Sequence, residues 1–345
     1  TASETKLPGG LAPLIREINA MGLKFGLWTE PEMVSEDSGL YRAHPDWALT
    51  MPGRKPAMGR EQLVLDLSRE DVVAWLYETF SALLRGNNIE YIKWDVNRNL
   101  TDVYSRALPP ERQGEVSHRY MLGLYTLLER LTSEFPDVLF EGCTGGGGRF
   151  DAGMLAYFPQ IWCSDNTDAL DRLSIHYGTS FGYPASVVSA HVSTCPNHQT
   201  GRTTPLQTRF TVASYGAFGY ELNPLKLTDD ERREIRAQVE QYRQDRELIM
   251  HGRYYRLSDA GSRNYCAWEF VSQDGSKALI SAVTTQNHGN MPEIYITPRG
   301  LTPNAFYREI LTGKVYPADA LMDAGYPLPL PKGDYEASTL RIERL

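Results

Sequence analysis

The stretch SREDVVAWLYETFSALLRGNNIEYIKWDV, residues 68–96, decides the fold. Its first part places Val72, Val73, Leu76, Phe80 and Leu83 on one helical face, and Ser68-Arg-Glu-Asp71 in front of them reads as a capping-box start. Gly86-Asn-Asn88 stops the helix, and residues 90–96 follow as a strand. A helix that feeds a strand through a short polar turn is half of a β/α repeat, and the alternation recurs on both sides. Upstream, Leu11, Leu14, Ile15 and Ile18 share a helical face, Gly22 ends it, and residues 24–29 are strand-like. Downstream come a helix over 117–135, a strand over 138–141, a short helix near 153–158 and a strand over 160–164. A helix over 169–177, a strand over 186–192, a helix over 206–215 and a strand over 216–221 complete the series. Thr228-Asp-Asp-Glu231 is a second capping box, opening a long helix that runs to about Met250.

This march predicts the parallel strands of a (β/α)8-type barrel over residues 1–250. The strands number six rather than the eight such a barrel needs, so the barrel is expected to be incomplete in this chain. Beyond His251 helical periodicity gives way to short alternating runs at 265–271, 277–284, 293–297, 306–309 and 340–342, separated by turn residues such as Gln273-Asp-Gly275 and Pro298-Arg-Gly300. That texture predicts a second domain over 251–345, an antiparallel β-sandwich.

Bulk properties narrow the function class. Hydrophobic residues at 41% and charged residues at 23% over 345 positions describe an ordinary globular chain. A net charge of -8 argues against nucleic-acid binding, which draws on clustered Lys and Arg. No apolar run reaches membrane-spanning length. The sequence opens on Thr1 without an initiator Met and without a signal-peptide pattern, so processing, tagging or excision from a longer chain is expected. Cys143, Cys163, Cys195 and Cys266 show no CxxC spacing, which suggests free thiols and a reducing, cytoplasmic setting. The 20 tyrosines and six tryptophans fill cores in any protein, yet they also suit a sugar site, where the apolar face of a pyranose stacks on a ring.

In a barrel of this kind, chemistry sits at the C-terminal ends of the strands. Those ends carry Trp28, Thr29 and Glu30, then Lys93, Trp94 and Asp95, then Glu141 and Cys143, then Trp162 and Asp165. One polar strand end is an ordinary cap or ion pair; four in succession point to a site. Strand alternation puts Lys93 and Asp95 on one face, and a neighbouring ammonium favours the charged carboxylate, which suits a nucleophile; a buried salt bridge without chemistry is the plain alternative. Asp165, beyond Trp162 and ahead of the next helix, is the candidate second carboxylate, with Asp168 and Asp171 as rivals placed to cap that helix. Cys143-Thr-Gly-Gly-Gly-Gly-Arg149 could cradle a phosphate, but it lacks the GxGxxG order and a following Lys-Ser/Thr, so glycines that admit a sugar hydroxyl fit better. His191 and His198 have neither HxH nor HExxH spacing, so no metal centre is expected from them.

Five ordered motifs carry a family resemblance: residues 25–33 (FGLWTEPEM), 41–47 (YRAHPDW), 93–98 (KWDVNR), 143–151 (CTGGGGRFD) and 162–168 (WCSDNTD). With them the chain resembles glycoside hydrolase family 36 along essentially its whole length, in the bacterial α-galactosidase branch. The resemblance implies retaining hydrolysis of terminal α-galactosides such as melibiose and raffinose, with no metal or organic cofactor. It puts the nucleophile on Asp95 and the acid/base on Asp165. Trp28, Arg60, Lys93, Cys143, Gly146 and Trp162 fall on substrate-contacting positions. Gly142 and Thr144 depart from the family pattern, which places serines there, and this bears on galactose against N-acetylgalactosamine. Galactosyl transfer by a synthase and an inactive galactoside-binding fragment use the same residues and stay open at this point. The resemblance also implies a preceding β-sandwich domain with two further barrel strands, and a homo-oligomer, usually a tetramer.

Overall fold

The computed structural model describes residues 3–259, 261, 264–290, 292–327, 329 and 333–345. The chain divides into two compact units, Thr1–Trp162 and Cys163–Leu345. In the first, four strands lie parallel and in chain order: Gly26–Thr29, Tyr91–Trp94, Leu139–Gly142 and Gln160–Trp162. Their register sets Trp28 beside Lys93 and Lys93 beside Glu141, so the chemistry-bearing side chains come level at one end of the sheet. Helices Glu70–Arg85 and Val116–Glu134 cover it, burying Val72, Leu76 and Phe80 from the one and Tyr120, Leu124 and Leu128 from the other against Ile92, Trp94 and Phe140. Gly123 lets the second helix lie on the backbone at Leu67, since a Cβ there would sit 1.9 Å from the Leu67 carbonyl oxygen.

The expected capping box at Ser68 does not form. The helix begins at Glu70 with Arg69 as an N-cap that supplies no side-chain bond. The Ser68 hydroxyl is taken by the buried Asp66 carboxylate at 2.5 Å, and Asp71 bonds Arg69 and the Val72 N–H. A serine with a carboxylate two residues upstream has a nearer acceptor than the helix offers it a donor.

In the second unit, strands Val188–Ser193 and Ala217–Glu221 pair in parallel, flanked in sequence by helices Ala169–Thr179, Leu206–Ala213 and Asp229–His251. The last of these starts on a complete capping box between Thr228 and Glu231, as its sequence predicts. The chain thus holds six parallel strands of a (β/α) half-barrel, four in the first unit and two in the second. An antiparallel sheet follows, in the spatial order Val315–Pro317, Phe306–Glu309, Ala337–Arg344, Lys277–Thr284, Tyr265–Val271 and Arg253–Arg256. Tyr295–Ile296 and Tyr326–Pro327 form a separate two-stranded ribbon. Every residue of Tyr265–Val271 is buried, so both faces of this strand are covered. Arg341 ties the sheet to the long helix through Asp245, at 2.7 Å and 3.0 Å. Among the described residues no helix is long and apolar enough to cross a membrane.

Candidate active site

The first unit gathers its polar strand ends around Asp95. This residue follows the Tyr91–Trp94 strand and is 5% exposed, yet its carboxylate is well supplied with donors. Oδ2 accepts from the Trp28 indole Nε1 at 3.1 Å and from Asn97 Nδ2 at 2.6 Å, and Oδ1 accepts from the Val96 N–H at 2.8 Å. Trp28 itself is 48% exposed, so one edge of its ring holds Asp95 while much of the ring remains open. Cys143 stands beside this carboxylate. Burial first, and then the Asp95 charge, push its thiol well above the ordinary value, so it remains an S–H group and not a competing thiolate.

Lys93 takes a different partner from the expected one. Its ammonium lies 3.3 Å from Glu141 Oε1 and 4.5 Å above the Trp162 ring, so its ion pair runs to the next strand and not to Asp95. Glu141 also accepts from Gln160 Nε2 at 2.6 Å. Arg60 sits in a tight turn where it and Glu61 both have positive φ, at 53° and 59°. From there it reaches Glu30 Oε1 at 3.1 Å, the oxygen that also accepts from Asn97 at 2.7 Å. Arg60, Glu30, Asn97 and Asp95 therefore form one chain of hydrogen bonds.

The glycine-rich turn is fixed from below. Gly145 and Gly146 have φ of 50° and 84°, conformations that L side chains resist, and Cys143 N–H bonds the Trp94 carbonyl at 2.8 Å. At its end Arg149 forks onto the fully buried Glu32 at 2.7 Å and 3.0 Å and bonds Thr144 Oγ1 at 2.9 Å. Glu32 further accepts from Trp94 Nε1 at 2.8 Å and from the Tyr120 hydroxyl. Burial acts to raise the Glu32 carboxyl, but the Arg149 charge and these hydrogen bonds outweigh it and hold it below the usual range. Arg149 is taken up by Glu32 and Asp95 lies beside Cys143, so the turn offers a phosphate little positive charge and the nucleotide reading gains no support. Gly142 departs from the family serine for a packing reason: a Cβ there would meet a Phe158 ring carbon at 2.6 Å.

Asp165 belongs to the second unit, exposed in the segment between Trp162 and the helix Ala169–Thr179. Its two rivals have structural posts. Asp168 is the N-cap of that helix, accepting from the Leu170 and Asp171 N–H groups, and it binds Thr200 and Arg202. Asp171 accepts from Asn166 at 2.7 Å and lies 3.3 Å from Arg202. His191 faces Glu221 at 3.6 Å and His198 is exposed, and no cluster suited to a metal ion occurs among the described residues.

Sequence reasoning missed Asn97, Glu32, Arg149 and Tyr120. Asn97 and Glu32 lie two residues beyond Asp95 and Glu30, which put them at the strand ends, but only the fold shows which partner each one meets.

Parallel strands that end on an indole, an ammonium and a donor-ringed carboxylate define an enzyme of the (β/α)-barrel class. A melibiase profile matches residues 1–252, and that of the glycosyl hydrolase family 36 C-terminal domain matches residues 265–342. The chain belongs to the melibiase family, within glycoside hydrolase family 36. The α-galactosidase AgaA of Geobacillus stearothermophilus is 51% identical over 338 residues, covering 98% of this chain and 46% of that protein. A crystal structure of an AgaA variant in complex with raffinose superposes with a TM-score of 0.97 at 49% identity, covering 100% of this chain and 48% of that one. A further AgaA variant, in complex with stachyose, gives a TM-score of 0.98 at 50% identity with the same coverage of 100% and 48%. The chain spans less than half the length of the curated relatives it matches.

Proposed function

We propose that this chain supplies the two reacting carboxylates of a retaining α-galactosidase, Asp95 as nucleophile and Asp165 as acid/base. The substrates are oligosaccharides ending in α-linked galactose, such as melibiose and raffinose. The observation that carries the proposal is the setting of Asp95: a carboxylate at a strand end, aimed by three N–H donors, beside a half-exposed indole and a protonated thiol. The family and the raffinose and stachyose complexes of its relatives support the galactoside class.

Asp95 attacks C1 as Asp165 gives its proton to the departing glycosidic oxygen, and the C1–O bond breaks. The product is a galactosyl ester of inverted configuration on Asp95. Asp165, now ionised, takes a proton from water; that water attacks C1, the ester breaks, and galactose leaves with its original configuration. A double displacement of this kind requires its two carboxyl groups to stand about 5–5.5 Å apart. The open ring of Trp28 offers an apolar face to the sugar, and Arg60, Lys93, Cys143, Gly146 and Trp162 are its hydroxyl contacts. At Gly146 the missing side chain lets the backbone approach.

The test uses the protein at its natural length. Asp95→Ala is expected to cut turnover of p-nitrophenyl α-galactoside by about 10³-fold or more, since catalytic groups act as a unit. Added azide should then restore turnover and yield β-galactosyl azide. Unchanged activity in the variant, or rescue that yields only the α-azide, sinks the assignment of Asp95 as nucleophile.

A further inference from the structure

Asp165 is exposed on a short segment between a strand and a helix, which is a poor place for a group that must meet a glycosidic oxygen accurately. The structure compensates with one buried guanidinium. Arg172, 5% exposed on the first turns of helix Ala169–Thr179, donates from three nitrogens to the residues on either side of Asp165. Nη1 meets Cys163 Sγ at 2.9 Å, Nη2 the Ser164 carbonyl at 2.6 Å, and Nε the Asn166 carbonyl at 2.6 Å. Asn166 is locked in turn: its N–H donates to Ser164 Oγ at 3.1 Å, its Oδ1 accepts from the Asp168 N–H at 3.0 Å, and its Nδ2 donates to Asp171 at 2.7 Å.

Burying a guanidinium strips it of hydration, a loss the fold recovers only where its donors are well used. Here three of them are spent on the residues that flank one aspartate. The planar fork fixes the two carbonyls relative to each other, which a lysine ammonium, a point charge with freely rotating donors, cannot do. The same guanidinium lies near enough to Asp165 for their charges to interact.

We infer that Arg172 is the positioning residue of the acid/base, holding the backbone on both sides of Asp165 so that its carboxyl meets the departing oxygen; this rests on the reading of Asp165 given above. The donors of Arg172 go to the carbonyls and the thiol around Asp165. Loss of the guanidinium therefore acts through Asp165 and falls on the step that needs a proton delivered.

The leaving group separates this role from a merely structural one. The second-order constant kcat/KM reports events up to the first irreversible step, here formation of the galactosyl ester. Raffinose loses a sugar alkoxide that must be protonated, whereas p-nitrophenyl α-galactoside loses a phenolate that needs little help. In the protein at its natural length, Arg172→Lys is expected to lower kcat/KM for raffinose by about 30-fold and for the aryl galactoside by less than about 3-fold, the size of a misplaced general acid. Equal losses on the two substrates overturn the inference, because a weakened fold or a lost sugar contact acts on both. Cys163→Ala, which removes one acceptor and leaves the guanidinium in place, is the milder probe. It decides the matter if Arg172→Lys does not accumulate folded: a selective loss on raffinose supports the inference, and none overturns it. Asp165→Ala in the same series keeps the two ideas apart. If that variant loses both substrates alike, the reading of Asp165 falls; if it is selective and Arg172→Lys is not, the inference alone falls.

Discussion

Asp95 and Glu269 are both buried acids on or beside a strand, but they have different surroundings. Three N–H donors meet the Asp95 carboxylate. Glu269, fully buried in the strand Tyr265–Val271, receives an N–H from Arg299 at 2.6 Å on one oxygen, and its other oxygen has no hydrogen-bond partner among the described residues. Burial pushes the Glu269 carboxyl up to about 8, against the weaker opposing pull of that N–H and the charges of Arg253 and Arg299. A raised carboxyl holds its proton in the folded state, so its contribution to stability is complete below about 4.5, the unfolded value, and is lost as pH rises towards about 8. Glu269→Gln keeps an acceptor for Arg299 and has no proton to lose. It is expected to match the parent protein at pH 4.5 and to exceed it by about 2 kcal/mol at pH 8.5, less than the full ~1.4 kcal/mol per unit of linkage because a buried carboxylate relaxes its surroundings when it ionises. Thermal unfolding at the two pH values checks this, and a gain of equal size at both would show that ionisation is not the cause. At the residue scale the sequence located Asp95 but not its surroundings, since its donors come from residues as far away as Trp28, and it did not single out Glu269.

Elements were legible where local chemistry was self-sufficient. Thr228 and Glu231 satisfy each other across one turn, so that capping box could be read directly. The like pattern at Ser68 failed because Asp66 and Ser105 belong to a buried cluster assembled by the fold. The glycine-rich turn shows the same limit: its glycines announce a tight backbone, but its anchor, the Glu32–Arg149 pair, joins residues far apart in sequence. Breaking a buried pair from one side leaves a stranded charge. Arg149→Met is accordingly expected to lower stability by about 3–5 kcal/mol, and Glu32→Gln by a similar amount. The double variant should cost clearly less than the sum of the two. Denaturant unfolding of the four proteins measures the coupling, and simple additivity would mean that the fork between them carries no energy of its own.

At the scale of the whole molecule, counting strands was the most informative reading. The six parallel strands followed from alternation alone, because parallel strands read as separate apolar runs with helices between them. The later sheet was harder to read. Two of its strands, Tyr265–Val271 and Lys277–Thr284, are buried almost throughout and show little alternation, and the two short end strands, Arg253–Arg256 and Val315–Pro317, went unnoticed. The strand count also carries a functional consequence. In the first unit, Gly26–Thr29 pairs with Tyr91–Trp94 along one edge, and in the second, Ala217–Glu221 pairs with Val188–Ser193, each being an end strand of its series. The end strand that bears Trp28 is only half-buried, whereas a strand inside a closed barrel is covered on both sides. An indole that aims the carboxylate proposed as nucleophile from such a strand is held less firmly, and a shift of about 1 Å at a reacting group costs on the order of 10²-fold in rate. The 345-residue chain expressed by itself is therefore expected to turn over p-nitrophenyl α-galactoside at least about 10²-fold more slowly than a chain extended to the length of its relatives. Equal kcat/KM for the two would show that six strands suffice to hold Trp28 and Asp95 in working order, and that the grip on galactose is complete within the half-barrel.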